Sequence, residues 1–215
     1  MILVAFRHHE LLEAVNPTAN FSPQLCAMPL LGNPAPEFTT TAVVDGKVDR
    51  QFSLDRYRGQ YVVLFFYPGD FTGVCTPEVH AFQERLADFE SREAVLVGCS
   101  TNAADIHKQF LTTPKSQGGA EGVTYPLIAD TNRTVSDRFG TLNGQFDYDE
   151  YGRLTATSDL TCHRGTFILD KEGVILHHST NFAPLGRDID AVIRELDAIR
   201  RLQIDGQVCM PNWKG

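Results

Sequence analysis

The chain has 215 residues, with 27 acidic against 19 basic side chains and a net charge of −8. That balance argues against a nucleic-acid partner, which needs a basic surface, and no apolar run approaches the roughly 20 residues that cross a membrane. Five cysteines, an odd number without a Cys-x-x-Cys pair, argue against a structural disulfide framework and make a reducing, cytoplasmic setting the default.

Residues 1–30 are broken up by Asn16-Pro17, Ser22-Pro23 and Met28-Pro29. They read as a partly ordered arm, with a short helix over Ile2–Val15 and an incidental thiol at Cys26. Met1–Phe6 is a short apolar run without a basic residue ahead of it, so no signal peptide is expected. Leu31–Phe38 is rich in proline and cannot be helix. Thr39–Val44 and Lys47–Leu54 flank Asp45-Gly46, which predicts a β-hairpin. Tyr61–Tyr67 is apolar on both faces and rich in β-branched and aromatic residues, the pattern of a strand buried within a sheet. Pro68-Gly69 ends it. Then Val79, Phe82, Leu86 and Phe89 recur at helical steps, predicting a helix from about Cys75 to Arg92. Thr76 is its expected cap, with Pro77 in its first turn.

Cys75 therefore stands at a strand–loop–helix junction. Backbone N–H groups and the helix dipole favour an anion there, so the position suits a thiolate. The hydroxyl of Thr72, one turn earlier, can donate to a thiolate or to a bound oxygen. The Pro68 ring can cover the sulfur from bulk water. No histidine or second cysteine lies close in sequence, which speaks against an acyl-transfer or thioredoxin-type site.

Ala94–Ser100 is a second buried strand, with Cys99 in the core. Thr101 or Asn102 caps a helix running to about Leu111, and a loop follows to Thr124. Pro126–Ala129 is a short strand, and Arg133–Phe139 a short helix stopped by Gly140. The segment 143–161 is polar and acidic, with Phe146, Tyr148 and Tyr151 interleaved, and reads as a hairpin or ordered flap. Thr166–Leu169 and Val174–His177 form a second hairpin. Ile189, Val192, Ile193, Leu196, Ile199 and Leu202 mark a long amphipathic helix, followed by a polar tail. Cys162 is read as incidental, because its neighbour His163 points to the opposite face of a strand. The histidines lack metal-ligand spacing, so no metal or other cofactor is expected. The alternation of elements predicts an α/β fold, a mixed central sheet flanked by helices. Residues 31–203 form one domain and residues 204–215 its tail.

The stretch FYPGDFTGVCTPE, ending at Glu78, closely resembles the active-site segment of the peroxiredoxins. The likeness extends from Leu31 to Lys214. One departure is that Cys75-Thr76-Pro77-Glu78 replaces the usual Cys-Pro-Thr-Glu. The resemblance implies a thioredoxin-like fold of the peroxiredoxin type. It implies a thiol-dependent peroxidase that reduces hydrogen peroxide and alkyl hydroperoxides, similar to the alkyl hydroperoxide reductase C branch. Cys75 would attack the peroxide, with Thr72 and Pro68 beside it. Arg164, in the run HRGTFIL, matches the family's cation, and Glu78 would orient an arginine. The segment DGQVCMPNWK resembles the family's resolving segment, with Gln207 in place of Glu and Met210 in place of Pro. That makes Cys209 the resolving thiol, attacking Cys75 of the partner subunit, so a homodimer is implied and a ring of dimers is usual among relatives. The reductant would be thioredoxin or a flavin-containing disulfide reductase. Relatives prone to overoxidation carry Gly-Gly-Leu-Gly and a last helix bearing Tyr-Phe. This sequence has Gly118-Gly119-Ala120-Glu121 and ends at Gly215, so disulfide formation is expected to outrun overoxidation. The alternative reading is a ring-forming holdase chaperone or a peroxide-sensing redox relay. A thiol–disulfide oxidoreductase is disfavoured by the missing Cys-x-x-Cys.

Overall fold

The computed structural model of the chain describes residues 30–213. The helix expected over Ile2–Val15, Cys26 and all but the end of the expected arm lie outside the described residues. The strands are β1 (Thr40–Val44), β2 (Lys47–Phe52), β3 (Tyr61–Phe66), β4 (Ala94–Ser100), β5 (Leu127–Ala129), β6 (Leu142–Asn143), β7 (Phe146–Tyr148), β8 (Leu154–Ala156), β9 (Thr161–Cys162), β10 (Arg164–Leu169) and β11 (Ile175–Asn181). The helices are α1 (Cys75–Glu84), α2 (Leu86–Glu90), α3 (Ala104–Thr112), α4 (Thr134–Arg138) and α5 (Ile189–Asp205). Seven strands form one mixed sheet in the order β11-β10-β3-β4-β5-β1-β2. β3, β4 and β5 run parallel, and the pairings outside them are antiparallel.

The period of two along β3 explains the layers. Tyr61, Val63, Phe65 and Tyr67 enter one core with Val79, Phe82 and Phe89 of α1 and α2 and Ile193 and Leu196 of α5. Val62, Leu64 and Phe66 enter the other, where Val135 and Phe139 and the incoming Leu30 and Phe38 close the sheet. Burying a side chain of this size contributes about 1.5–3 kcal/mol. β3 is buried at every position, whereas β2 buries only Phe52, so the centre of the sheet anchors the fold. The Phe65 and Phe82 rings stack at 4.1 Å, which fixes α1 against the strand that feeds it.

Several ends differ from the sequence reading. The helix expected to run to Arg92 breaks at Arg85, whose N–H turns back to the Phe82 carbonyl. Thr76 does not cap α1: the helix already begins at Cys75, and the Thr76 hydroxyl donates to Gly118 O at 3.1 Å. Ala103 stands at the start of α3, while the side chain of Asn102 accepts from Asp70 N. α5 reaches Asp205, where Gly206 adopts φ +65° and donates to Leu202 O, the left-handed stop that glycine permits. Leu202, expected on the buried face, is 49% exposed. The segment 143–161 is a two-tier hairpin, β6 with β9 and β7 with β8. Asp149 accepts from the N–H groups of Tyr151 and Arg153 at its tip, and the Tyr148 hydroxyl reaches Asp137 of α4.

After α3 the chain turns tightly through Gly118 and Gly119, and Gly119 O receives His80 Nε2 of α1 at 2.9 Å. A β-carbon on Gly119 would stand 2.1 Å from Thr113 O, a backbone atom. Gly119→Ala is therefore expected to cost about 1–3 kcal/mol, the range for overpacking. Urea unfolding should show a lower midpoint at an unchanged slope. An unchanged midpoint would mean that the turn yields without cost.

Candidate active site

β3 delivers the chain into the turn 67–74, and α1 leaves from it with Cys75 as its first residue. Cys75 is fully buried. Its N–H donates to Thr72 Oγ1 at 3.3 Å, and the Thr72 hydroxyl donates to Gly69 O at 3.2 Å. Val74, the residue before α1, makes no side-chain cap, and Thr72 satisfies the first helical N–H from two residues further back. In this arrangement its proton faces a carbonyl rather than the sulfur. Pro68 lies half-buried immediately after Tyr67, at the start of the same turn. Tyr67 and Phe66 are both fully buried in the core.

Across the sheet, β10 begins at Arg164, two residues earlier than the sequence pattern suggested. Its guanidinium is 2% exposed and is held on three sides. Nε donates to Ala183 O at 2.6 Å, Nη1 to Glu78 Oε2 at 2.6 Å, and Nη2 to Cys75 Sγ at 3.4 Å. Glu78 sits one helical turn after Cys75, so the carboxylate and the thiol share a face of α1. The same carboxylate is gripped by a second arginine, Arg187, in the segment between β11 and α5. Its backbone N–H and Nε reach Oε1, each at 2.9 Å, and Nη2 reaches Oε2 at 2.7 Å. Arg187 Nη1 also donates to Gly165 O at 3.0 Å, and its guanidinium covers the Phe65 ring at 5.1 Å. Five donors in a planar fork make this network possible, and lysine would not reproduce it.

Two buried guanidinium groups face one carboxylate, so the cluster carries one net positive charge. The sulfur of Cys75 is the group it presents to that charge. Burial alone would raise the Glu78 carboxyl, but the hydrogen bonds and charge of Arg187 and the charge of Arg164 outweigh it and hold it below its ordinary value of 4.5.

The other described cysteines sit differently. Burial pushes the Cys162 thiol up to about 12, and its Sγ meets Ser136 Oγ at 3.1 Å. Burial, together with the neighbouring Cys162 and Asp130, raises Cys99 well above the usual thiol range. Both are kept as poorly nucleophilic thiols. Cys209 is half-buried beyond α5, its Sγ 3.9 Å from Ala198 O. All four described cysteines are free. Among the described residues no group of three or more His, Cys, Asp or Glu side chains is placed to hold a metal ion.

The structure therefore brings Cys75, Thr72, Glu78 and Arg164 together, with Pro68 at the start of the same turn, and leaves Cys209 on the tail. Sequence reasoning missed Arg187. The only signal available was indirect: a buried glutamate that orients an arginine has two oxygens and room for a second donor.

The sequence profile described as the AhpC/TSA family matches residues 31–178. That is well over half of the chain. The chain belongs to the AhpC/TSA family of peroxiredoxins, the thiol-dependent peroxidases. It is 37% identical over 184 residues to Peroxiredoxin-2 of Cricetulus griseus, covering 86% of each chain. It is 38% identical over 185 residues to the thioredoxin peroxidase of Echinococcus granulosus, covering 86% of this chain and 89% of that one. Among solved structures, the reduced 2-Cys peroxiredoxin of Plasmodium vivax superposes with a TM-score of 0.75 at 29% identity, covering 86% of this chain and 89% of that chain. The fold is thus the thioredoxin-like fold of the peroxiredoxins that the resemblance implied. Cys75, Glu78 and Arg164 fall inside the span matched by the peroxiredoxin profile, and Arg187 and Cys209 fall beyond it. Among the described residues no helix is long and apolar enough to cross a membrane.

The Glu78 carboxylate supplies a direct pH prediction. Its folded value is lowered, so its contribution to stability is fully present above its ordinary value of 4.5 and is lost as the pH falls through the folded value. Removing the charge leaves two buried arginines without the carboxylate that pairs them, so Glu78→Gln is expected to cost about 3–5 kcal/mol at neutral pH. The loss should shrink as the pH falls below 4.5. Urea midpoints from pH 7 to pH 3 test this. A difference that stays constant with pH would show that the charge is not what the arginines require.

Proposed function

We propose that Cys75 is the thiol that attacks the peroxide and that Cys209 of the partner subunit recycles it. The observation that carries this reading is the Arg164 Nη2 hydrogen bond to Cys75 Sγ, with the guanidinium held in place by Glu78. A thiolate at Cys75 balances the single net positive charge of the cluster. Its sulfur attacks one peroxide oxygen, the O–O bond breaks, and the leaving oxygen departs as water or alcohol after taking up a proton. Cys75 is left as a sulfenic acid. Arg164 stabilises the charge that builds on the departing oxygen, and Thr72 joins it once its hydroxyl rotates away from Gly69 O. Pro68 covers the site from bulk water. Glu78, with Arg187, holds Arg164 in its pose. The thiol of Cys209 then attacks the sulfenic sulfur, water leaves, and an intersubunit disulfide forms. A dithiol donor, thioredoxin or a flavin-containing disulfide reductase, returns both cysteines to thiols. Substrates are hydrogen peroxide and alkyl hydroperoxides, and a reducing cytoplasm suits the cycle.

The surface supports a homodimer. Phe182 and Leu185 are 64% and 61% exposed on the same segment whose Ala183 carbonyl holds Arg164. Around Cys209, Ile204, Val208 and Met210 are exposed as well. Apolar side chains grouped in this way mark a surface that another subunit covers. A ring of such dimers is the larger assembly.

Peroxide consumption with thioredoxin and its reductase tests the roles. Cys75→Ser is expected to abolish turnover. Cys209→Ser should consume about one equivalent of peroxide per subunit and stop, because the sulfenic acid forms but is not resolved. Continued turnover by Cys209→Ser would remove Cys209 from the cycle, and turnover by Cys75→Ser would remove the nucleophile.

A further inference from the structure

Beneath the turn that carries Thr72 lies a second buried polar cluster that the chemistry above does not use. The Asp70 side chain is fully buried. Its Oδ1 accepts from the Tyr67 hydroxyl at 2.8 Å, and its Oδ2 faces His107 Nδ1 of α3, also at 2.8 Å. The other ring nitrogen, Nε2, donates to the Ile128 carbonyl of β5 at 3.1 Å. A carbonyl only accepts, so Nε2 bears a hydrogen. The Nδ1 contact with the carboxyl closes the ring from its other side. Away from water such contacts are strong, and an unmade one is costly. The backbone N–H of Asp70 is bonded as well, to Asn102 Oδ1 at 2.9 Å. Asp70 is therefore held from the end of β3, from α3, from the segment between β4 and α3, and through His107 from β5.

The next residue shows what this hold achieves. Phe71 has φ +57°, a left-handed backbone that bulky side chains rarely adopt. Its ring meets Phe110 of α3 edge-on at 5.0 Å but remains 40% exposed, so burial of the ring does not account for the strain. The kink is fixed by its neighbours instead. Asp70 is locked in the core on one side, and Thr72 is bonded to Gly69 O and Cys75 N on the other. One strained residue thus carries the chain from a buried anchor to the hydroxyl beside the sulfur. Strain of this kind persists only where the surroundings over-determine it.

We propose that Tyr67, Asp70 and His107 form a buried latch that sets the Phe71 kink and so positions Thr72 and the first turn of α1 for attack on peroxide. These three are positioning residues, since their hydrogen bonds run to one another, to Asn102 and to Ile128 rather than to the sulfur. The inference rests on the reading of Cys75 as the peroxide-attacking thiol. Attack on an O–O bond needs the thiolate, the cation and the hydroxyl in register, whereas alkylation by iodoacetamide needs only a thiolate that the reagent can reach.

The test compares the two rates at Cys75, by mass spectrometry, in the full-length protein and in His107→Gln and Tyr67→Phe. The latch predicts that His107→Gln slows oxidation by hydrogen peroxide by about 10-fold or more while alkylation is unchanged or faster. Tyr67→Phe, which deletes a single hydroxyl, should lower the same ratio by a smaller factor and carries the test alone if His107→Gln does not fold. A ratio of the two rates that stays at the wild-type value in a folded variant overturns the latch. If Cys75 of the unaltered protein reacts with peroxide no faster than free cysteine, the peroxidase reading fails and the latch with it.

Discussion

The structure depends on two arginines sharing one buried glutamate. Charges this far from water are tolerated only when they are paired and hydrogen-bonded, and breaking such a pair is costly. Arg164, Glu78 and Arg187 are each 4% exposed or less, and they come from β10, α1 and the segment before α5. The requirement to pair them fixes how those three pieces of chain meet. It also leaves one positive charge over, and the sulfur of Cys75 is where that charge is directed. An interaction that locks the fold therefore also faces the thiol proposed to attack peroxide.

The same logic separates the cysteines. Cys75, Cys99 and Cys162 are all fully buried. Burial alone drives Cys99 and Cys162 toward the protonated thiol, with carboxylate and sulfur neighbours that add to the effect. Cys75 instead meets the Arg164 guanidinium and stands at a helix start. The proposed reactivity of Cys75 rests on its neighbours rather than on exposure. The strand that makes this possible is β3. Its alternating residues build both cores, and its end places the turn 67–74 between α1 and α3, where two polar networks hold the turn from opposite sides.

Much of this was legible in the sequence, because the informative signals are local. The apolar run of β3, the hairpin at Asp45-Gly46 and the start of a helix at Cys75 appear where the local pattern placed them, although that helix breaks at Arg85. The residues that surround Cys75 were readable as a motif. What was not legible depends on distance along the chain. Glu78 and Arg187 are 109 residues apart and Asp70 and His107 are 37 apart, and no periodicity links such pairs. The misplaced caps have a common cause. Thr76 and Asn102 have the right side chains for capping, but a carbonyl at Gly118 and an N–H at Asp70 compete for them across the fold. Leu202 fits the apolar stripe of α5, yet it is exposed in the last turn, beyond the core that Ile193, Leu196 and Ile199 enter.

The central claim is that peroxide selects Cys75 because of the charge set against it, and that Cys209 then captures the product. Non-reducing mass analysis of the fully reduced protein after one equivalent of hydrogen peroxide tests this most directly. The account predicts a single species, two chains joined through Cys75 of one subunit and Cys209 of the other, with Cys99 and Cys162 still reduced. Oxidation at Cys99 or Cys162 while Cys75 remains a thiol would contradict it.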